Sequence, residues 1–133
     1  GMNAGFEDCR VLDRLLDRCK GDFNACFNEY SFVRKPNGDG VQDLSMHNFM
    51  VMRDKTADPN FLLQKKIEKK FSNLYPDKWT PLYSMVSFSN IPYAEAWQIG
   101  MRQERLMKKI MGIENIEKKW NSDKIMQKMS ILL

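Results

Sequence analysis

Apolar side chains recur along this chain at the spacing of helices, and no stretch is typical of a strand. Near the N-terminus, four of them follow the i, i+3, i+4, i+7 rule of one helix face, namely Leu12, Leu15, Leu16 and Cys19. A similar stripe closes the chain with Ile125, Met129, Leu132 and Leu133. The pattern predicts an all-α fold, an irregular bundle of about five to six helices.

Turn-forming residues divide the first half of the chain. A first helix is expected to end near Gly21, and residues 22–33 to form a second whose buried stripe is Phe23, Phe27 and Tyr30. The cluster at residues 35–40 (KPNGDG) predicts the clearest break in the chain. A third helix, capped by Asp43 or Ser45, should follow and run to about residue 58.

Proline and serine mark the helix starts of the second half. Pro59 suits a first helical turn, and residues 75–80 are expected to form a loop. From Pro92 a long helix is predicted to reach about Trp120, with Gly112 as a bend. Ser122 is placed to cap the last helix, whose apolar stripe would cover the core, a partner chain or a membrane surface.

Residues 81–93 form an uncharged run dense in aromatic, methionine and hydroxyl side chains, bracketed by Pro81 and Pro92. It predicts an aromatic-rich loop or short helix with fixed ends. On a helix, Tyr83 and Ser87 lie one turn apart on one face. Two interpretations stay open: a pocket for an aromatic ligand, or a buried helix whose hydroxyls bond to backbone.

Composition narrows the class of protein. The 133 residues are 43% hydrophobic and 29% charged, as in one domain with a modest core. Three cysteines without a CxxC pair and a single histidine, His47, exclude a standard zinc module and give no disulfide framework, so no metal site and a reducing cytoplasmic compartment are expected. The 35–40 turn is no calcium loop, because Lys35 and Met46 stand where acidic ligands are needed.

The formal net charge of +4 is concentrated in residues 97–133, where eight basic side chains face four acidic ones. A solvated helix face explains this, and so does an acidic partner, RNA or lipid head groups. No aromatic-basic pattern supports RNA, so no nucleic-acid partner is expected. No leader and no apolar run of about 18 residues is present, so we expect no transmembrane segment.

Three blocks of sequence together resemble the C-terminal part of the kynurenine 3-monooxygenase family, FAD- and NADPH-dependent hydroxylases of L-kynurenine. They are residues 1–9 (GMNAGFEDC), residues 43–53 (DLSMHNFMVMR) and residues 81–89 (PLYSMVSFS) with residues 93–96 (YAEA). The first block is shared widely among flavin hydroxylases, and the other two are more specific. The resemblance extends to about residue 110.

The resemblance implies roles for six residues. Asn48 and Tyr83 would hold the amino-acid end and carbonyl of kynurenine, and Met52 and Ser87 would line the same pocket. Met2 and Asn3 would contact the flavin. No catalytic side chain is implied, since the cofactor carries the chemistry that converts L-kynurenine to 3-hydroxykynurenine. His47, about 100° around the helix from Asn48, is interpreted as structural.

The chain departs from a complete enzyme of the family. It has no GxGxxG dinucleotide fingerprint. The resemblance makes residues 1–20 the last helix of the flavin domain and residues 21–133 a C-terminal helical substrate-pocket or cover domain. We expect that the chain alone neither holds FAD or NADPH tightly nor hydroxylates kynurenine, and that surface left bare by the missing flavin domain drives homo-oligomer formation. The absence of a hydrophobic C-terminal anchor fits a bacterial-type cytoplasmic protein.

The alternative function is a stand-alone interaction module. Its basic, methionine-rich helices at residues 101–133 would bind a protein partner or a lipid surface. Such a module would depend on those helices and would tolerate changes at Asn48 and Tyr83.

Overall fold

The computed structural model describes residues 2–133, which form seven helices and no strand. The helices are α1 (Met2–Cys19), α2 (Phe23–Asp54), α3 (Pro59–Leu74), α4 (Leu82–Phe88), α5 (Tyr93–Met111), α6 (Ile116–Lys119) and α7 (Asp123–Leu132). The all-α prediction is confirmed. The seven helices roughly match the expected five to six, and one of them, α6, is a single turn.

An ion-pair cluster fastens α1 to α2. The Arg34 guanidinium is only 7% exposed, and its Nε lies 2.6 Å from Oδ1 of Asp8 while its Nη1 lies 3.2 Å from Oε2 of Glu7. Arg18 and Glu29 form a further ion pair near the turn that joins the two helices. Antiparallel helices linked by a short turn bring such side chains face to face.

The break predicted at residues 35–40 is wrong, because α2 runs through it without interruption. Pro36 removes one backbone N–H from the helix, a change that usually costs about 3 kcal/mol. Tertiary contacts on both sides of it offset this cost. Arg34 is held by α1, the side chain of Asn37 accepts the N–H of Ala94 at 3.3 Å, and Gly40 is buried against Ala94. Neither Asp43 nor Ser45 caps a helix, since both lie inside α2, which ends at residue 54.

The predicted buried stripe of α2 is also wrong at Phe23 and Phe27, whereas its third member, Tyr30, is half-buried. Phe23 and Phe27 are 59% and 53% exposed. The face that α2 buries instead carries Cys26, Arg34, Gly40 and Leu44. Contacts with α1 and α5 set this face, so the inner side follows the neighbouring helices and not the most apolar spacing.

The main core lies among α3, α5 and α7, with the loop after α3 folded into it. Its buried members are Ile67, Phe71, Trp79, Leu106, Met107, Ile110, Ile116, Ile125, Met126 and Met129. The Phe71 ring meets the Trp79 ring edge-on at 5.6 Å, which is a favoured aromatic arrangement. Part of the predicted C-terminal stripe therefore packs in the core, whereas Leu132 and Leu133 are about half exposed.

Helix starts were predicted better than helix ends in the second half. Pro59 occupies the first turn of α3 behind Asp58, whose carboxylate accepts the N–H of Asn60 at 2.9 Å. The long helix predicted to reach Trp120 is wrong, because α5 ends at Met111 and Gly112 forms its C-cap. Asn115 then adopts a left-handed backbone with φ of 57°, which separates α6 from α5.

Ser122 does precede α7 as its N-cap, as predicted. Its hydroxyl does not cap the new helix, however, and donates instead to the carbonyl oxygen of Lys119 at 2.8 Å.

Candidate functional site

A cavity of about 820 Å³ lies between α2, α3, α4 and α5. That volume falls within the range of small-molecule sites. Buried groups form its floor, and three polar side chains from α2 and α4 stand in its wall, namely Asn48, Tyr83 and Ser87. All three are exposed, so they lie toward the open side of the cavity.

Gly100 of α5, which has no side chain, sets the position of α4. Pro81 precedes the helix, and Met85, which is 1% exposed, anchors it. The side chain of Leu82 fits against Gly100 of α5, where an added Cβ would stand 2.8 Å from the nearest Leu82 methyl carbon. This close approach holds α4 so that Tyr83 and Ser87 are presented to the cavity.

Met52 is the one predicted pocket residue that does not line this cavity. It is 62% exposed. The residues of α2 that line the cavity are Leu44, Ser45, His47, Asn48 and Val51.

His47, interpreted from the sequence as structural, lines the cavity beside Asn48. Its Nε2 lies 3.8 Å from Oε2 of Glu104 on α5, and its ring meets the Trp97 ring edge-on at 5.7 Å. Burial lowers the pKa of His47, and the carboxylate of Glu104 acts against that shift. The 44, 47, 51 spacing on α2 is the sequence signal that could have placed His47 in the wall.

The floor of the cavity contains two largely buried polar side chains. Gln103 is 7% exposed, and its amide donates to the carbonyl oxygen of Thr80 at 3.0 Å. Trp79 is 2% exposed, and its Nε1 has no hydrogen-bond partner among the residues that the structure describes. The hydroxyl of Ser72 donates to the Trp79 carbonyl oxygen at 3.0 Å, which fixes the loop that carries the indole.

Charges of both signs surround the cavity. Its basic residues are Lys55, Lys65 and Lys69, and its acidic residues are Asp58, Glu68 and Glu104. Lys65 is paired with Glu68 at 2.7 Å. This mixture suits a small ligand that itself carries both an acidic and a basic group.

Relatives of known name match the chain along its whole length. The kynurenine 3-monooxygenase of Flavobacterium johnsoniae is 51% identical over 133 residues, and that of Christiangramia forsetii is 47% identical over the same residues. Each match covers 100% of this chain and 30% of the relative. By sequence, the chain is similar to a part of the kynurenine 3-monooxygenases.

A mammalian relative gives the same result over a shorter range. The kynurenine 3-monooxygenase of Sus scrofa is 46% identical over 101 residues, which is 74% of this chain and 21% of the relative. No family model matches the chain. The chain thus spans about 30% of the length of the bacterial kynurenine 3-monooxygenases named above, as the resemblance to a C-terminal part of the family predicted.

The two residues predicted from the family resemblance to contact a flavin lie at the start of α1. Met2 is 75% exposed. Asn3 lines a second, smaller cleft of about 330 Å³ between the first turns of α1 and residues 86–93. Val86 and Ser87 line both this cleft and the large cavity, so α4 separates the two with a single layer of side chains.

Within residues 2–133, no group of three or more histidine, cysteine, aspartate or glutamate side chains is arranged to hold a metal ion. In that same range no helix is long and apolar enough to cross a membrane.

Proposed function

We propose that this chain forms the substrate-facing part of an NADPH- and FAD-dependent monooxygenase that hydroxylates L-kynurenine to 3-hydroxykynurenine. One observation carries the proposal: α2 and α4 bring Asn48, Tyr83 and Ser87 to the wall of one cavity of about 820 Å³. The relatives named kynurenine 3-monooxygenase support it.

The chemistry of the cavity suits such a substrate. L-kynurenine joins an aromatic amine through a ketone to an amino-acid end that carries an ammonium and a carboxylate. The Tyr83 hydroxyl and the Asn48 amide supply donors for carboxylate or ketone oxygens, and the Asn48 carbonyl oxygen accepts from an amino group. The mixed charges of the wall match a zwitterion.

The single layer of α4 side chains between the cavity and the Asn3 cleft supports one orientation of the substrate. Since Val86 and Ser87 face both spaces, a ring held against Ser87 lies next to the cleft that Asn3 lines. We place the amino-acid end near Asn48 and Tyr83 and the ring near Ser87. In this arrangement α4 sets the distance between the ring and whatever occupies the Asn3 cleft.

The Asn3 cleft fits one edge of a flavin. Asn3 in the first turn of α1 and Arg10 about two turns later line this cleft, and their amide and guanidinium groups are donors for electron-rich atoms. Bound FAD, reduced by NADPH, supplies the oxygen-activating chemistry. The residues of this chain would contact only one side of the flavin. We therefore propose that a flavin domain provides the rest of the binding surface and that this chain alone retains no FAD.

In this proposal, the chain's own residues bind the substrate, orient it and exclude water from it. No side chain in the wall is placed as a nucleophile, and the partner-free indole N–H of Trp79 is buried in the floor. Excluding water matters in oxygen-activating sites because it prevents loss of the activated oxygen to solvent.

The three free thiols are typical of a reducing compartment, which supports a cytoplasmic location.

The interaction-module alternative gains no support from the methionines of the C-terminal half. Met107, Met126 and Met129 are at most 1% exposed and pack in the core, so they are not available to a partner.

A chimera tests the proposal. The matching segment of the F. johnsoniae kynurenine 3-monooxygenase is replaced by this chain, and hydroxylation of L-kynurenine is measured with NADPH. We expect activity, with KM raised about tenfold in Tyr83→Phe and Asn48→Ala, the effect of losing roughly 1.4 kcal/mol of binding. Lys128→Ala, an exposed change on α7, is the matched control. The proposal would be contradicted if the chimera folds and binds flavin but its KM for L-kynurenine is unchanged by the Asn48 and Tyr83 substitutions.

A further inference from the structure

One carboxylate in the cavity wall lies just beyond hydrogen-bond distance of its two basic neighbours. Glu104 of α5 lines the cavity, and its side chain is 27% exposed. Its Oε2 lies 3.8 Å from Nε2 of His47, and its Oε1 lies 3.8 Å from Nζ of Lys108. Because hydrogen bonds of this kind end at about 3.2 Å, neither neighbour donates one to the carboxylate. Both of its oxygens can therefore accept from a ligand.

The two neighbours also leave the charge of Glu104 largely uncompensated. The Lys108 side chain is 74% exposed, and an ion pair with so exposed a lysine is weakened by solvent. Burial lowers the pKa of His47 from its ordinary value of 6.5, so the imidazole is neutral at pH 7. A neutral imidazole does not compete with a cationic ligand for the carboxylate.

The other two acidic side chains of the wall already have partners. Glu68 accepts from Nε2 of Gln64 and from Nζ of Lys65, both at 2.7 Å. Asp58 accepts the backbone N–H of Asn60 at 2.9 Å and so caps α3. Among the acidic residues that line the cavity, Glu104 is therefore the one placed to take up a cation.

We propose that Glu104 binds the ammonium group of the ligand that occupies this cavity, and that it selects ligands with an ammonium over analogues without one. The inference rests on the proposed function, because it names the group that would receive the ammonium of L-kynurenine. His47 directly precedes Asn48 on α2 and lies beside Glu104. The carboxylate is thus on the side of the cavity where we place the amino-acid end of the substrate.

The test compares two ligands that differ only in the ammonium. They are L-kynurenine and its desamino analogue, 4-(2-aminophenyl)-4-oxobutanoate, which keeps the ring amine, the ketone and the carboxylate. The Kd of each is measured by amide chemical-shift titration of the chain. We expect L-kynurenine to bind about tenfold more tightly, the effect of one hydrogen bond between charged groups.

Variants assign this preference to one carboxylate. Glu104→Gln keeps the size of the side chain and removes its charge, and it should reduce the preference from about tenfold to about twofold, since a neutral acceptor remains. Glu114→Gln is the matched control, because it removes the same charge at an exposed position on the α5–α6 connection. It should leave the preference at its wild-type value.

The outcomes separate this inference from the proposed function. If both ligands bind at the cavity wall and Glu104→Gln leaves their ratio unchanged, the inference is wrong and the proposed function stands. Equal weakening of both ligands by Glu104→Gln would likewise overturn the inference, because it would show a structural role for the side chain. If neither ligand binds at the wall, the proposed function fails and the inference fails with it.

His47 provides a second readout that needs no variant. The Glu104 carboxylate raises the pKa of His47 against the effect of burial, and a bound ammonium would offset that carboxylate. The pKa of His47 should therefore be lower in the complex with L-kynurenine than in the complex with the desamino analogue. Lys55 and Lys65, which also lower this pKa, are the same in both complexes. Equal pKa values in the two complexes would overturn the inference even if Glu104→Gln did not fold.

Discussion

Gly40 of α2 lies against the backbone of Ala94 so closely that a Cβ on it would stand 2.9 Å from the Ala94 nitrogen. The contact is backbone to backbone, and it fixes where α2 meets the first turn of α5. Asn48, two turns further along α2, and α4, which leads into α5, both depend on this meeting point.

A first prediction is that Gly40→Ala destabilises the chain although alanine favours helices. The added methyl group meets backbone atoms, which do not move aside as a flexible side chain does, so we expect a loss of about 1–3 kcal/mol in the free energy of unfolding. Gly38→Ala is the matched control, because nothing lies within 4 Å of its Cβ position. It should gain about 0.5–1 kcal/mol. Urea denaturation of both variants measures the difference, and equal midpoints would contradict the prediction.

A second prediction concerns the guanidinium that joins α1 to α2. Arg34→Met should lower the free energy of unfolding by about 1–3 kcal/mol, because Glu7 and Asp8 lose their partner beside a buried site. The exposed Lys35–Asp39 pair gives the control, and Lys35→Met should change stability by less than about 0.5 kcal/mol. Loss of amide-exchange protection confined to α1 in Arg34→Met would locate the effect. If both variants behave alike, Arg34 does not secure α1.

A third prediction follows from His47. Its pKa in the folded chain lies below the ordinary value of 6.5 because burial opposes the charged form, with Glu104 acting against the shift. The unfolded chain therefore binds a proton more readily, so the stability contributed by neutral His47 is present above pH 6.5 and is lost as pH falls through the lowered pKa.

Because His47 is the only histidine, its ring proton resonances report the titration without overlap. Glu104→Gln should lower the pKa of His47 further, and Glu114→Gln on the α5–α6 connection should leave it unchanged. An increase in Glu104→Gln would mean that the carboxylate does not face the imidazole.

A fourth prediction is that the isolated chain self-associates. The outer face of α2 exposes Met46, Phe49 and Met50 at helical spacing, with 56%, 57% and 43% of their surfaces accessible. Apolar faces of this kind tend to be buried against a second copy. Sedimentation equilibrium should show a dimer or larger species, and Phe49→Glu should shift it toward monomer. Ile131→Glu, at a more exposed apolar position on α7, should not. A monomer at high concentration would contradict the prediction.

Local signals in the sequence predicted those elements that local chemistry decides. Asp58 and Pro59 mark the start of α3, and prolines bracket α4, because caps and proline act within one turn. The continuity of α2 through Pro36 could not be predicted this way. It depends on Asn37 and Gly40 meeting Ala94, more than fifty residues away in sequence.

In the candidate site, too, some features could be predicted from the sequence and others depend on tertiary packing. Helical spacing identified the shared face of Tyr83 and Ser87, and the family resemblance singled out Asn48. The resemblance also placed Met52 in the pocket, at a four-residue separation from Asn48 that is compatible with one helix face. Which side of α2 meets the cavity is decided by its packing on α5, and that packing turns His47 inward and Met52 toward solvent.

The most direct test of the central claim is an amide chemical-shift titration of the chain with L-kynurenine. The account predicts saturable shifts, in the millimolar range expected for a partly walled site, at Asn48, Tyr83 and Ser87, and no change at the distant Lys128. Tyr83→Phe should weaken the binding several-fold. Shifts confined to α7, or no saturable shift at any residue of the cavity wall, would contradict the assignment of this cavity to the substrate.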